Sequence, residues 1–302
     1  MMVLDLRPLT LAELLDRSFS TYKRHLWVFV GIMALPALAT TVYGVLVQIV
    51  SLRITPEVPP EQVFRYMLPL FAGALLFSGV YLVMYAFALG ATTVAVAQLY
   101  KGLTPSVGAA YREIRRHGWR LILLLIWVTL RLGGVWVGIV MLTGVLGAIL
   151  ALASPALSLL IFFAGMGVGV WFAAYLGVRY GVSVPAVVLE NLPAGRALAR
   201  SVNLTEDNRW RVFLLILCAV FVSYATTALL QGPFMIGAFL AGHGTGPAIA
   251  MTIAGAVVGG VGTMFSGPIM IIGLAMIYYD LRIRKEGLDL QMMLESLDTP
   301  PA

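Results

Sequence analysis

The chain has 302 residues, of which 60% are hydrophobic and only 11% charged, with a formal net charge of +6 at pH 7. An ordinary soluble domain carries roughly a quarter charged residues, and several apolar runs here exceed the about 20 residues needed to cross a bilayer. This composition excludes a soluble domain and predicts an all-α, polytopic membrane bundle. The basic residues sit in short segments between apolar runs, which makes anionic lipid headgroups the expected partners and argues against nucleic acid.

The chain opens with MMVLDLRPLTLAELLDRSFSTYKRH, which lacks the basic start, short apolar core and small-residue cleavage site of a secretory signal. The first membrane helix is therefore expected to persist. Thr10 and Glu13 have capping-box spacing, and Leu11, Leu14, Leu15, Phe19 and Tyr22 recur at helical spacing. That pattern predicts an amphipathic helix along the inner membrane surface, its basic face toward headgroups. Trp27 then opens the first span, 26–50. The second span covers 66–97.

A second amphipathic lead-in, TPSVGAAYREIRRHGWRLILLLI, starts at Thr104 and passes through Trp119 into a third span. The apolar stretch from Trp119 is too long for one crossing, so Ser154-Pro155 is taken as a break. The fourth span then covers 156–178. A third lead-in, PAGRALARSVNLTEDNRWRVFLLI, starts at Pro193 and reaches Trp210. Within it a short helix is expected over 193–206, with Ala194, Ala197, Leu198 and Val202 as its apolar face. Arg196 and Arg200 are expected to face headgroups together, and Asn203 through Asn208 to form the turn. The fifth span covers 210–231 and the sixth 248–279, followed by a tail at 280–302. Spans two, three and six are 30 residues or longer and must tilt, bend or protrude. Gly133-Gly134 and Gly259-Gly260 are candidate bends.

The whole chain, 1–302, reads as one membrane domain. Each lead-in precedes a pair of spans, and Arg17-Ser18 in the first corresponds to Arg200-Ser201 in the third. The pattern suggests three two-span units, 9–97, 104–178 and 193–279. The alternative is convergent chemistry, since Arg and Trp suit any inner-side flank. Seventeen of the 20 basic residues fall on one side of a six-span topology. Arg53 and Arg65 lie on the other, offset by Glu57 and Glu61, and Arg131 lies inside span three. The positive-inside rule puts both termini in the cytoplasm.

Little in the chain points to catalysis. His25 and His117 adjoin basic clusters at the membrane surface, and His243 has no acidic or cysteine neighbour. Cys218 is the single cysteine. No HExxH or Walker-type motif occurs, and neither a cofactor nor a metal is expected. The Asn203-Leu204-Thr205 sequon would be inert on a cytoplasmic side. Glu190 and Arg200 are spaced to pair across a loop, holding the fold. Arg131 lies about 16 Å beyond Arg120 along a helix, a depth at which a cation needs a partner or water. It contacts a lipid or another anion, or it sits near a surface because span three tilts. The candidate residues for lipid or anion contact, or for structural roles, are thus Arg131, Arg17, Arg196, Arg200 and Glu190.

Three segments carry a family resemblance: LRPLTLAELLDRSFSTYKRH at 6–25, VSVPAVVLENLPAGRALARSVNLTEDNRWRV at 182–212, and YYDLRIRKEGLDLQMMLESL at 278–297. Together they make the chain resemble the prokaryotic integral membrane proteins named for the membrane domain of glycerophosphoryl diester phosphodiesterase. The resemblance implies a membrane module that in some relatives accompanies a separate catalytic barrel. These 302 residues are taken up by spans and loops, which leaves no length for such a barrel.

Three functions compete. A non-enzymatic scaffold, organising lipids or partner proteins, or itself as a homo-oligomer, fits the scarcity of intramembrane charge. A transporter or lipid-handling protein fits the long glycine-rich spans and Arg131. An enzyme on a phospholipid-derived substrate rests only on the family resemblance and Arg131.

Overall fold

The computed structural model describes residues 8–51, 60–152, 154–242 and 245–287. The expectations for Arg7, Arg53, Glu57, His243 and the tail beyond Gly287 lie outside the described residues, as does the side chain of Glu61. Among the described residues ten α-helices run in order: α1 (Leu11–Arg24), α2 (Leu26–Ser51), α3 (Pro60–Tyr100), α4 (Val107–Ile114), α5 (Gly118–Ala151), α6 (Pro155–Tyr180), α7 (Ser183–Leu189), α8 (Ala194–Thr205), α9 (Arg209–Ala241) and α10 (Gly246–Glu286). Among the described residues there is no strand. Six of the described helices, namely α2, α3, α5, α6, α9 and α10, supply stretches long and apolar enough to cross a membrane.

Local chemistry sets the helix ends. Thr10 Oγ1 accepts from Glu13 N–H at 3.2 Å, and the Glu13 carboxylate accepts from Thr10 N–H at 2.7 Å, a complete capping box on α1. Ser106 caps α4, and Thr245 caps α10 ahead of Pro247. The division at Ser154-Pro155 is real: Ser154 is extended and Pro155 is the first residue of α6, where its missing N–H costs nothing. Gly287 ends α10 at φ 61°, the left-handed conformation that glycine adopts readily.

The fifth span is longer than expected. It continues through Pro233 to Ala241 instead of stopping at residue 231. Prolines also lie inside α2, α3 and α10. Each removes an N–H and crowds the preceding turn, which membrane helices tolerate when something else satisfies the freed carbonyls. One carbonyl freed in this way, and one beside a second proline turn, have partners on short helices. Tyr111 of α4 donates to Ile32 O at 2.7 Å, four residues before Pro36. Tyr22 of α1 donates to Phe265 O at 2.6 Å, three residues before Pro268. Burial pushes the Tyr22 phenol up to about 12, which keeps the donor protonated at neutral pH.

The three amphipathic helices share one joint. A single residue, His25, separates α1 from α2, whereas a three-residue 3₁₀ turn leads from α4 into α5 and from α8 into α9. Trp27, Trp119 and Trp210 are each the second residue of the span that follows, and they are 76%, 70% and 69% exposed. These rings suit the boundary between headgroup and hydrocarbon. The helices' apolar faces, however, pack on protein instead of entering lipid. α1 lies on α10 and α9, α4 on α3 and α2, and α8 on α5, α6, α7 and α10. The reason is visible in α8, where Ala194, Ala197, Leu198, Ser201, Leu204 and Thr205 form one buried stripe and the expected Val202 lies off it. The helix also runs to Thr205, so the turn is confined to Glu206–Asn208.

The core gathers where the short helices meet the spans, which we call the basic end. Phe29, Ile32, Ile114, Leu121, Leu204, Leu215, Met276, Ile277 and Tyr278 are fully buried there. Toward the other end, side chains such as Leu146, Ile149, Phe163, Leu229 and Leu240 are exposed, as a lipid-facing surface requires. α10 is the central helix, packed on α9, α2, α3 and α1. The spans approach through glycine. A Cβ on Gly165 would meet Thr143 Cγ2 at 2.2 Å, and one on Gly260 would meet Thr41 Oγ1 at 1.7 Å. The helices continue without a break through Gly133-Gly134 and Gly259-Gly260.

Gly165→Ala and Gly260→Ala are expected to destabilise the protein by about 1–3 kcal/mol each, because β-branched threonines cannot yield without shifting a helix. Gly167, with nothing within 4 Å of its Cβ direction, provides the control. Thermal unfolding in detergent should rank Gly167→Ala at or above the parent and the other two clearly below it.

Candidate functional site

The polar chemistry concentrates at the basic end, around the last turns of α10. Asp280 is the most deeply buried carboxylate of that layer, with 1% of its side chain exposed. Its Oδ1 accepts from the Leu9 N–H at 2.8 Å. Its Oδ2 accepts from Arg211 of α9 and from Arg284, one turn on along α10, both at 3.0 Å. The same two guanidinium groups donate to Leu9 O, at 2.8 and 2.6 Å. One carboxylate and two arginines thereby hold both polar groups of a single peptide residue, tying the segment before α1 to α9 and α10.

A second cluster joins α7, α8 and α10. Glu190, just past α7, accepts from Arg200 Nε at 3.1 and 3.0 Å and from an Arg200 terminal nitrogen at 2.9 Å. It also accepts the Tyr278 hydroxyl and has Arg282 at 3.5 Å. Arg200 reaches on to Glu286, which in turn accepts from Arg282 Nε at 3.0 Å. Around this core, Lys285 donates to Asn203 O at 2.7 Å and Ser201 to Arg179 O at 2.7 Å. On the other flank Arg120 donates to Asn191 O at 2.9 Å, and His117 Nε2 lies 3.1 Å from Asn191 Oδ1. Asn191 takes φ 55°, a left-handed conformation that asparagine tolerates better than most residues, and so turns the chain from α7 toward α8.

The five candidate residues thus fall in different places. Glu190 and Arg200 meet in a two-point ion pair. Arg200 consequently faces inward and does not share a headgroup-facing surface with Arg196, which is exposed on α8. The expected Arg196–Arg200 face fails because the acceptors on α7 and α10 compete successfully for Arg200. Arg17 is half-buried on α1 and is not without partners. Arg131 stands apart, exposed on α5, its guanidinium 5.6 Å from the Trp127 ring and 5.5 Å from the Tyr180 ring and donating to Tyr180 Oη at 3.0 Å. Asp280, Arg211, Arg284 and Tyr278 were not singled out from the sequence. The available signal was a carboxylate directly after an apolar run, four residues before Arg284.

The arrangement is suited to holding helices together. Asp280 and Glu190 each already accept from two guanidinium groups or lie against them, so their lone pairs are engaged within the protein. Burial and the neighbouring Arg24 hold His25 below its ordinary value, leaving it neutral at neutral pH. Among the described residues no group of three or more His, Cys, Asp or Glu side chains could hold a metal ion. The recess between α1, α9 and α10, lined by Leu15, Phe19, Leu215, Cys218 and Ile269, offers about 10 Å³, space on the order of one water.

Asp280→Ala should strip Arg211, Arg284 and the Leu9 N–H of their common acceptor. Breaking a buried pair of this kind costs about 3–5 kcal/mol, and the loss should appear in chemical unfolding. A cysteine placed at Leu9 in a Cys218→Ala background should become reactive toward maleimide at the same time. Glu190→Gln should cost less, because Glu190 is 19% exposed and an amide oxygen still accepts one bond.

Comparison with known proteins adds a match to a family over part of the chain. No curated protein and no solved structure matched the chain. The matched segment begins inside α6 and takes in α7 through α10, so it contains Glu190, Arg200, Arg211 and Asp280. The resemblance noted at 6–25 lies outside it. Over residues 158–293, somewhat less than half of its length, the chain matches the family described as the membrane domain of glycerophosphoryl diester phosphodiesterase.

Proposed function

We propose that the protein is a non-catalytic scaffold of the cytoplasmic membrane that organises anionic lipid around a helical platform on the inner face. The observation that carries this reading is the self-contained polar layer. Glu190, Asp280 and Glu286 are each held by two arginines, so none of these three carboxylates is positioned as a free base or ligand. Outward at this end lie Arg196 on α8 and the three joint tryptophans, beside exposed carboxylates at Glu113, Glu206 and Asp207 that have basic partners of their own. That combination suits an anionic membrane surface, where each basic residue contributes about 1 kcal/mol.

The platform belongs in the cytoplasm by the positive-inside rule, since the lead-ins, the loops they occupy and the end of α10 together carry 17 of the 20 basic residues. We further propose that the chain is built from three units, each a short helix followed by two spans, and that these close on one another. Supporting this, each lead-in donates a hydroxyl to a carbonyl of the preceding unit. Tyr111 reaches Ile32 in α2, Ser201 reaches Arg179 in α6, and Tyr22 of the first unit reaches Phe265 in α10 of the last.

Two measurements test the proposal. Reporter fusions after Gly102 should read cytoplasmic and fusions after Leu152 external; the reverse would overturn the orientation. For the function, the full chain would be reconstituted in vesicles of mixed phosphatidylglycerol and phosphatidylcholine. The proposal expects anionic lipid enriched around the protein relative to the bulk, and no release of glycerol phosphate from added glycerophosphodiesters. Turnover dependent on the protein would favour the enzyme reading, and an annulus of bulk composition would sink the scaffold reading.

A further inference from the structure

Arg131 lies in the long hairpin of α5 and α6, whose helices meet along Gly147, Gly165 and Gly169. Those three glycines are the buried described residues between 125 and 175, so most of the hairpin faces lipid. A cation on such a surface is costly unless an anion, water or a polar partner meets it. Arg131 lies 13 residues beyond the start of α5, roughly 20 Å along the helix axis. Its guanidinium turns back toward the basic end, over Trp127 one turn earlier and to Tyr180, the last residue of α6. Among the described residues it has no carboxylate partner.

We propose that Arg131, held by Trp127 and Tyr180, is a seat for the phosphate of an anionic membrane phospholipid. Guanidinium presents five N–H donors in a plane. Tyr180 Oη takes one, at 3.0 Å, and the two aromatic contacts involve the face of the cation more than its edge. Donors on the remaining edge are left for an acceptor, and a phosphate offers two oxygens at matching spacing. Trp127 is 51% exposed, leaving apolar ring surface beside the cation for a glycerol backbone and upper acyl chain. The position favours a lipid over a free ion, because a soluble phosphate would have to leave water to reach an apolar hairpin surface. It favours an anionic lipid over a zwitterionic one, whose ammonium group already accompanies its phosphate. The inference rests on the lipid-organising reading and locates one site within it.

The test is native mass spectrometry of the full chain released from membranes of equal parts phosphatidylglycerol and phosphatidylcholine. Arg131→Gln should lose one retained phosphatidylglycerol, with affinity for that lipid about tenfold weaker. Arg131→Lys keeps the charge but not the planar edge and should fall between. Arg65→Gln, which removes the same charge from an exposed site on α3 at the opposite end of the bundle, should retain lipid like the parent. Millimolar inorganic phosphate should not displace the lipid. If Arg131→Gln fails to fold, as judged by gel filtration and thermal unfolding, Arg131→Lys decides: retention equal to the parent overturns the site. Retention by Arg131→Gln equal to the parent also overturns it, while enrichment of anionic lipid in both would leave the scaffold reading standing. Displacement by phosphate would overturn the assignment to lipid. Absence of any phosphatidylglycerol preference in the parent would overturn the site and the scaffold reading together.

Discussion

Asp280 imposes the constraint from which the basic end follows. A carboxylate taken out of water forfeits several kcal/mol of solvation, which attraction to a cation recovers only with good geometry and with its remaining lone pairs filled. Here the lone pairs are filled by Arg211, Arg284 and the Leu9 amide. Arg284 comes from the same helix one turn later, Arg211 from the first turn of α9, and Leu9 from the segment leading into α1. Satisfying one charge therefore fixes where three parts of the chain must lie. The neighbouring Glu190 cluster does the same for α7 and α8. An apolar interior could hold the same helices with fewer demands, but between lipid-exposed spans apolar contact alone discriminates weakly, because hydrocarbon competes for the same surfaces. Ion pairs and hydroxyl-to-carbonyl bonds supply the register that apolar packing leaves open.

The spans obey a different rule. With lipid on the outside there is no hydrophobic penalty for exposing leucine, so helix association depends on close approach and on satisfied backbone. Glycines at 147, 165, 169 and 260 permit the approach. Prolines at 36 and 268 free backbone carbonyls, and the tyrosines of α1 and α4 meet carbonyls in the turns they open. A proline inside a span and a tyrosine on a surface helix thus form a matched pair. Among the described residues the outer part of the α5–α6 hairpin has no such proline and tyrosine pair linking it to the rest of the bundle, and its surface there is left to lipid.

Much of this fold was legible in the sequence because the bilayer restricts the options. Span number, the break at Ser154-Pro155, the capping box at Thr10 and the tryptophan joints all follow from local composition and spacing. Glu190 and Arg200 could be paired from the sequence because ten residues separate them. Asp280 and Leu9 could not, being 271 residues apart, and no local pattern announces their contact. The orientation of Arg200 was misjudged for the same reason: helical spacing put it beside Arg196, while acceptors distant in sequence turned it inward. The apolar pattern ends the fifth span at 231, whereas α9 runs on through Pro233, which a membrane helix tolerates. Arg131 was identifiable by depth alone, but its aromatic cradle depends on Tyr180 in the next helix.

The central claim is that the polar layer closes the chain on itself, joining the first amphipathic helix to the last span within one molecule. Ser18 of α1 and Met276 of α10 meet there, Oγ to Sδ at 3.4 Å. The most direct measurement is cross-linking of a Ser18→Cys, Met276→Cys protein, in a Cys218→Ala background, with a short bismaleimide in native membranes. The account predicts efficient cross-linking within the monomer, independent of expression level. Cross-links that form only between molecules, or none while both thiols remain reactive, would contradict it.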